Sequence, residues 1–166
     1  VKVWNAIIEH GKRFKIEPCG LGARDVLRLE AGMCLYGHDI TESTTPFQAR
    51  IGWVVKLEKE RFIGKEALAR EKVTGPEMIR VGLKPKVPGI PREGCEILKD
   101  GKPVGKVTSG TFSPILDQGI AMGYVPSQYS KKGEELQIQV RQKRLDCAVS
   151  SLPFYDSAKF GWQRTS

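Results

Sequence analysis

Two arginines on a predicted helix are the residues most suggestive of binding chemistry. Arg24 and Arg28 follow a glycine-rich turn at residues 20–22. The apolar spacing from residue 23 predicts a helix that Gly32 ends, and residues four apart share one helix face. Arg24 falls in the first turn, where a cation opposes the positive end of the helix dipole. A residue in so unfavourable a place needs a stabilising partner.

Two partners for Arg24 remain open at this stage. The structural one is a nearby acid, Asp25 or Glu30, in an ion pair. The functional one is an anionic or polar ligand, held by the guanidinium together with the backbone N–H groups that follow the glycine turn. Spacing alone favours the ion pair, because most arginines are structural or solvated.

Other residues give weaker indications of binding. Trp53 lies in an apolar run and could stack on a planar ligand, although such a tryptophan more often packs in a core. The hydroxyl-rich residues 108–114 could cradle a ligand, but a turn between strands is the simpler prediction. His10 and His38 are the only histidines, and no nucleophile–base pair, paired carboxylates or metal-ligand spacing is present. The sequence therefore predicts no catalytic residue and no metal site within this chain.

The remaining pattern predicts a helical and linker segment followed by a small β-domain, an α+β organisation. Residues 3–11 have a helical apolar stripe, residues 51–57 are predicted to form a strand, and residues 65–71 a short helix. After Gly75 six short strands are predicted, with a hairpin turn at Asp100-Gly101. They cover residues 78–83, 95–98, 104–108, 120–125, 136–141 and 145–149. This spacing is typical of a small antiparallel barrel or sandwich.

Composition and charge narrow the possible classes of protein. The chain has 166 residues and a formal charge of +8, with 27 basic and 19 acidic side chains. No apolar run is long enough to span a bilayer, so no membrane association is predicted. The four cysteines have no CxxC spacing and no secretory signal precedes them, which predicts reduced thiols in the cytoplasm. The positive charge favours an acidic partner, but it does not distinguish between nucleic acid, an acidic protein and a small molecule with several carboxylates.

Residues 18–40, with the sequence PCGLGARDVLRLEAGMCLYGHDI, resemble the signature of the T-protein of the glycine cleavage system, the aminomethyltransferase family. The resemblance continues through residues 44–47, 51–55, 62–68, 108–110 with 113–114, 121–125 and 153–154, in the family's order. It implies that residues 1–48 end the middle folate-binding region, residues 49–75 are a linker, and residues 76–166 are the C-terminal six-stranded antiparallel β-barrel.

The resemblance also implies a function. The family transfers the aminomethyl carbon from the lipoyl arm of H-protein to tetrahydrofolate, releases ammonia and forms 5,10-methylenetetrahydrofolate. Arg24 and Trp53 match residues that contact the folate, and Lys159 and Arg164 are alternative matches for a further contact. The family's essential aspartate would lie upstream of Val1, so we expect this chain by itself to be inactive. The P- and L-proteins of glycine cleavage would be indirect partners, and a eukaryotic relative would work in the mitochondrial matrix.

Two other kinds of function stay open. Folate-dependent demethylases and dehydrogenases share the architecture, and this half of the sequence does not separate them from aminomethyltransferases. A free-standing basic barrel that binds protein or RNA would also fit the charge. Nucleic acid is the less favoured partner, because the aromatic residues do not alternate with basic residues on one strand face as a stacking platform requires.

Overall fold

The computed structural model describes residues 1–161, which form four α-helices, three short 3-10 helices and one β-barrel. The helices are α1 (Lys2–Gly11), α2 (Leu21–Glu30), α3 (Lys65–Thr74) and α4 (Ser157–Phe160). The strands are β1 (Met78–Pro85), β2 (Glu96–Lys99), β3 (Lys102–Ser113), β4 (Gln118–Pro126), β5 (Glu135–Val140) and β6 (Lys143–Ser150). The 3-10 helices are Lys12–Phe14, Gly52–Val54 and Ser127–Tyr129.

The six strands close into an antiparallel barrel in the order β1-β4-β3-β2-β5-β6. Closure comes from pairing of β6 with β1, for example Leu83 opposite Val149. The α+β prediction with a six-stranded barrel is therefore confirmed, and closure decides between barrel and sandwich. The hairpin turn between β2 and β3 is also confirmed, because Asp100 and Gly101 both have positive φ (50° and 76°), as a type I′ turn requires.

Alternation along the strands builds the barrel interior. Val81 and Leu83 of β1 point into the core, as do Leu136 and Ile138 of β5. Strand β4 is buried on both faces from Gly119 to Gly123. One face of β4 belongs to the barrel core, and the other joins a second apolar cluster outside the barrel. The outer face of β4 therefore requires a cover, which the helical segment supplies.

Two predictions of local structure were wrong. Residues 51–57 form no strand; Gly52–Val54 is a 3-10 helix, so Trp53 lies on a turn. A strand needs a neighbour, and the closed barrel offers no free edge to residues 51–57. Residues 108–113 form no turn but the second half of the 12-residue strand β3, and the chain reverses only after Ser113.

Candidate functional site

Helix α2 is held against the outside of the barrel by its apolar face. Leu29 is fully buried in the second cluster with Ile120 and Met122 of β4 and with Phe154. The backbone N–H of Phe154 donates to the carbonyl of Glu30 at 2.8 Å, which joins the chain beyond β6 to the end of α2. The barrel therefore positions the helix, and the polar face of the helix contacts strand β3.

Arg28 connects this helix to two acids and to the barrel. Its guanidinium donates to Asp25 Oδ1 (2.6 Å from Nη2), to Asp39 Oδ2 (2.6 Å from Nη1) and to Ser109 Oγ (2.9 Å). The Arg28 side chain is 14% exposed and that of Asp39 is fully buried. The charge of Arg28 is thus compensated inside the protein, and Arg28 is not free to bind an anionic ligand.

Asp39 gathers donors from three parts of the chain. Besides Arg28, its carboxylate accepts hydrogen bonds from Thr108 Oγ1 (2.5 Å), Ser109 Oγ (3.0 Å) and the backbone N–H of Leu35 (2.9 Å). The hydroxyl of Tyr124 donates to the Asp39 carbonyl at 2.8 Å, and burial raises the pKa of Tyr124 to about 12. This set of bonds fixes the 33–40 loop and α2 onto strands β3 and β4.

Arg24 has a different environment from Arg28, although both are on one helix face as predicted. It is exposed, and in residues 1–161 no carboxylate lies within 4.0 Å of it. It lines a cleft of about 490 Å³, together with Arg92 and the Thr108–Gly110 stretch of β3. A volume of this size suits a small molecule. We call this cleft the Arg24 cleft.

The ion pair that spacing favoured for Arg24 is therefore wrong. Asp25 pairs with Arg28 instead, three residues away on the same helix. Glu30 is buried and accepts a 2.5 Å bond from Ser113 Oγ on β3. Both candidate acids are used elsewhere, so the guanidinium of Arg24 keeps its donors for another partner.

Trp53 lies in a second cleft of about 480 Å³, which Arg50, Arg80, Leu152 and Pro153 also line. Its side chain is 75% exposed, so the packed-core alternative is wrong for this residue. The structure places Arg24 and Trp53 on two different clefts. We call the second one the Trp53 cleft.

The two candidates near the C-terminus differ in what the structure describes. Lys159 is an exposed residue of α4, whereas Arg164 lies outside the described residues. No role is assigned to either.

Neither a metal centre nor a membrane span is found in the part of the chain that the structure describes. Among residues 1–161, no three His, Cys, Asp or Glu side chains cluster as metal ligands would. None of the helices in this range combines the length and apolar character needed to cross a bilayer.

Sequence reasoning missed the residues that organise the site. Asp39 and Ser109 both lie in segments that carry the family resemblance, but no role was predicted for either, and two of the partners of Asp39 are 69 and 70 positions away in sequence. The available signals were this resemblance and the clustering of Thr108 and Ser109 in a hydroxyl-rich stretch, for which a turn is the prediction. Tertiary pairing of β3 with the 33–40 loop gives these residues their role.

Together the fold and the clefts define the class: a closed β-barrel domain that carries a helical segment on its outer face, with two clefts of small-molecule size that arginines help to line. The chain belongs to the glycine cleavage T-protein family. Residues 79–156 match the family model of the glycine cleavage T-protein C-terminal barrel domain, and residues 1–59 match that of the GCVT N-terminal domain. The family prediction made from residues 18–40 and the later segments is confirmed.

Relatives of known name agree with this assignment. The aminomethyltransferase of Nostoc sp. is 45% identical over 97% of this chain and 42% of its own length. That of Halothermothrix orenii is 49% identical over 93% of this chain and 43% of its own length. The crystal structure of glycine cleavage system aminomethyltransferase T from Bartonella henselae superimposes with a TM-score of 0.85 at 42% identity, over 91% of this chain and 43% of that one. The chain thus spans less than half the length of these relatives.

Proposed function

We propose that this chain forms the folate-binding wall and C-terminal barrel of an aminomethyltransferase of glycine cleavage. The reaction takes the aminomethyl carbon from the lipoyl arm of H-protein to tetrahydrofolate, with release of ammonia and formation of 5,10-methylenetetrahydrofolate. Support comes from the two family models, matched in order along residues 1–59 and 79–156, and from relatives named aminomethyltransferase.

The observation that carries a binding role is the contrast between Arg24 and Arg28. Arg28 is saturated by Asp25, Asp39 and Ser109, whereas Arg24 presents its guanidinium to an open cleft. A guanidinium fits the glutamate carboxylates of tetrahydrofolate because its planar donors match a carboxylate geometrically. Arg24 therefore binds and orients the acceptor substrate, and Trp53 supplies a flat apolar face to the same or a neighbouring part of it.

The positive charge supports an acidic partner such as H-protein. Residues 61–166 carry 18 basic and 11 acidic side chains, so most of the surplus lies on the barrel side of the chain. Long-range attraction of this kind raises the association rate and weakens with salt. The P- and L-proteins would act with this protein only indirectly, through their shared partner H-protein. The free thiols favour a cytoplasmic or matrix location.

No residue of this chain is assigned to proton transfer or to attack on the aminomethyl group. We therefore propose that the 166-residue chain alone has no turnover and that the catalytic aspartate belongs to an upstream part of the polypeptide. The first test is the intact mass of the native protein, captured with an antibody raised against this chain. A species of about twice this size or more that transfers the aminomethyl group supports the proposal. A native species of 18.5 kDa overturns it in either case: if it is inactive, the protein is no aminomethyltransferase, and if it is active, no upstream aspartate is needed.

The role of Arg24 is tested in the active polypeptide by the variant Arg24→Gln. Loss of one charge-assisted contact raises KM for tetrahydrofolate about ten- to a hundredfold and changes kcat less. The matched control is Arg141→Gln, because Arg141 is exposed at the β5–β6 turn and its side chain makes no hydrogen bond within residues 1–161. An unchanged KM in Arg24→Gln, or an equal change in the control, would refute the role.

A further inference from the structure

The turn between β2 and β3 contains the one Asp-Gly pair of the chain. Asp100 and Gly101 are both exposed, and their φ angles are 50° and 76°. An aspartate that precedes a glycine is able to react with its own main chain, because glycine has no Cβ that would block the approach to its nitrogen. The fold decides whether the two groups can meet.

The groups that would react are not engaged elsewhere in the part of the chain that the structure describes. Within residues 1–161 the N–H of Gly101 donates no hydrogen bond, and the carboxylate of Asp100 has no cation within 4.0 Å. A Cβ added at Gly101 would meet a single atom within 4 Å beyond its chain neighbours, Nη1 of Arg144 at 3.7 Å. The turn is therefore open to water.

The pairing of β2 with β3 holds this turn weakly. Strand β2 has only four residues, and a bulge shifts its register just before Leu98. Pro103, which lies opposite Leu98, has no N–H to donate to a neighbouring strand. Lys99 and Lys102 then form the one pair between bulge and turn in which both residues have an N–H. So short a hairpin end opens locally at low free-energy cost, which lets the Asp100 side chain rotate toward the next nitrogen.

Asp117 provides a contrast within the same chain. It is also exposed, lies at the turn between β3 and β4 and has a φ of 52°. The residue after it, Gln118, has a Cβ and begins β4, whose pairing with β3 runs unbroken from Gln118 to Met122. Asp117 thus shares the exposure and backbone conformation of Asp100 but has neither the following glycine nor the weak pairing.

We propose that Asp100-Gly101 is a site of spontaneous covalent modification, at which Asp100 is converted into isoaspartate. The nitrogen of Gly101 attacks Cγ of the protonated Asp100 carboxyl group. The proton of that nitrogen and the carboxyl hydroxyl leave as water, so that a C–N bond replaces a C–O bond in a succinimide ring. Water then adds to the main-chain carbonyl carbon of Asp100, and the bond from this carbon to the Gly101 nitrogen breaks. The mass is unchanged overall, and the reaction requires no oxidant, reductant or cofactor.

The product differs from the parent in two respects. The main chain now runs through Cβ and Cγ of residue 100 and is one methylene longer, which a two-residue type I′ turn does not accommodate. The former main-chain carbonyl becomes a free carboxylate, which is the methyl acceptor for isoaspartyl carboxyl methyltransferases that use S-adenosylmethionine. The modified turn is therefore a substrate for this class of repair enzyme. This inference does not rest on the aminomethyltransferase assignment.

The test incubates the 166-residue chain for increasing times in neutral buffer and in concentrated urea. An isoaspartyl methyltransferase with labelled S-adenosylmethionine then marks isoaspartate, and peptide mapping locates the label. We expect label to accumulate at residue 100 in both solvents, while Asp117 stays at background. Gly101→Ala lowers the label at residue 100 to the background of Asp117. Asp100→Asn raises it, because the amide, unlike the ionised carboxylate, needs no protonation before the attack.

The matched control is Gln118→Gly, which places an Asp-Gly pair at the well-paired β3–β4 turn. We expect label at Asp117 of this variant in urea but little in neutral buffer. Label at residue 100 in urea alone would show that the folded turn is protected, and it would overturn the proposal. So would equal label at Asp117 of the parent, or label unchanged in Gly101→Ala. Equal labelling of both turns of Gln118→Gly in neutral buffer would refute the role of the weak pairing.

Discussion

The buried carboxylate of Asp39 is the position where one small substitution tests how α2 is attached to the barrel. Asp39→Asn keeps the side-chain volume but removes the charge that faces Arg28, and the amide presents one acceptor oxygen where the carboxylate has two. Four donors now converge on the carboxylate, and an amide oxygen can accept only about half of them.

The expected loss follows from these contacts. Breaking a buried ion pair by removing one partner costs about 3–5 kcal/mol, but here Arg28 is partly exposed and Asp25 still compensates part of its charge. We therefore expect a loss near the lower end, about 3 kcal/mol, which is a large share of a typical domain's stability. In urea unfolding followed by circular dichroism, this corresponds to a midpoint lower by roughly 1–3 M.

Glu135→Gln is the matched control, because it is the same chemical change at an exposed ion pair with Lys86 on the barrel. Solvent screens that pair, so its midpoint should stay near that of the parent. Thr108→Val, which deletes one of the donors to Asp39, gives a graded and milder variant with a loss of about 1 kcal/mol should Asp39→Asn fail to fold. Equal midpoints for Asp39→Asn and Glu135→Gln would refute the reasoning.

Three further predictions concern stability. Gly105→Ala should abolish or severely weaken folding, because the added Cβ would lie 1.9 Å from the Tyr124 carbonyl oxygen. Gly22→Ala on α2 adds a Cβ that meets no atom within 4 Å, so it should stabilise the folded protein by about 0.5–1 kcal/mol. Thermal melts of both variants check this pair. Ser113→Ala removes the hydrogen bond to buried Glu30 and should cost about 2 kcal/mol in urea unfolding; a loss below about 0.5 kcal/mol would contradict it. Burial raises the pKa of Cys147 from 9.0 to about 12, so the parent should lose about 1.4 kcal/mol per pH unit from pH 9 to 12 relative to Cys147→Ala; parallel pH profiles would exclude this.

The pH prediction has a definite sign. A thiol whose pKa is higher in the folded than in the unfolded protein binds its proton more tightly when folded. Its stabilising contribution is complete below pH 9 and is lost as the pH rises through the folded value. Measurement as a difference between the parent and Cys147→Ala removes the other groups that titrate in the same range.

Local patterns predicted most of the secondary structure, because they depend on neighbours in the chain. Alternation at residues 136–140 and the turn residues Asp100 and Gly101 determine a strand and a hairpin without outside contacts. The strand predicted at residues 51–57 was wrong because a strand also requires a partner, which no local pattern reports. The turn predicted at residues 108–114 was wrong for the complementary reason, since pairing with β4 extends β3 through hydroxyl-rich residues.

The candidate site shows the same difference between what local patterns predict and what tertiary contacts decide. The sequence by itself determined the six strands, the helix that carries Arg24 and Arg28, and the family, because spacing and ordered motifs are properties of the chain. Only the tertiary structure decided which arginine is satisfied and which is free. Helix spacing already brings Asp25 close to Arg28, three residues on, rather than to the adjacent Arg24, but it does not reveal Asp39 and Ser109, which come from 11 and 81 residues away and complete the set of partners of Arg28. Electrostatic pairing depends on distance in space, and closure of the barrel sets that distance.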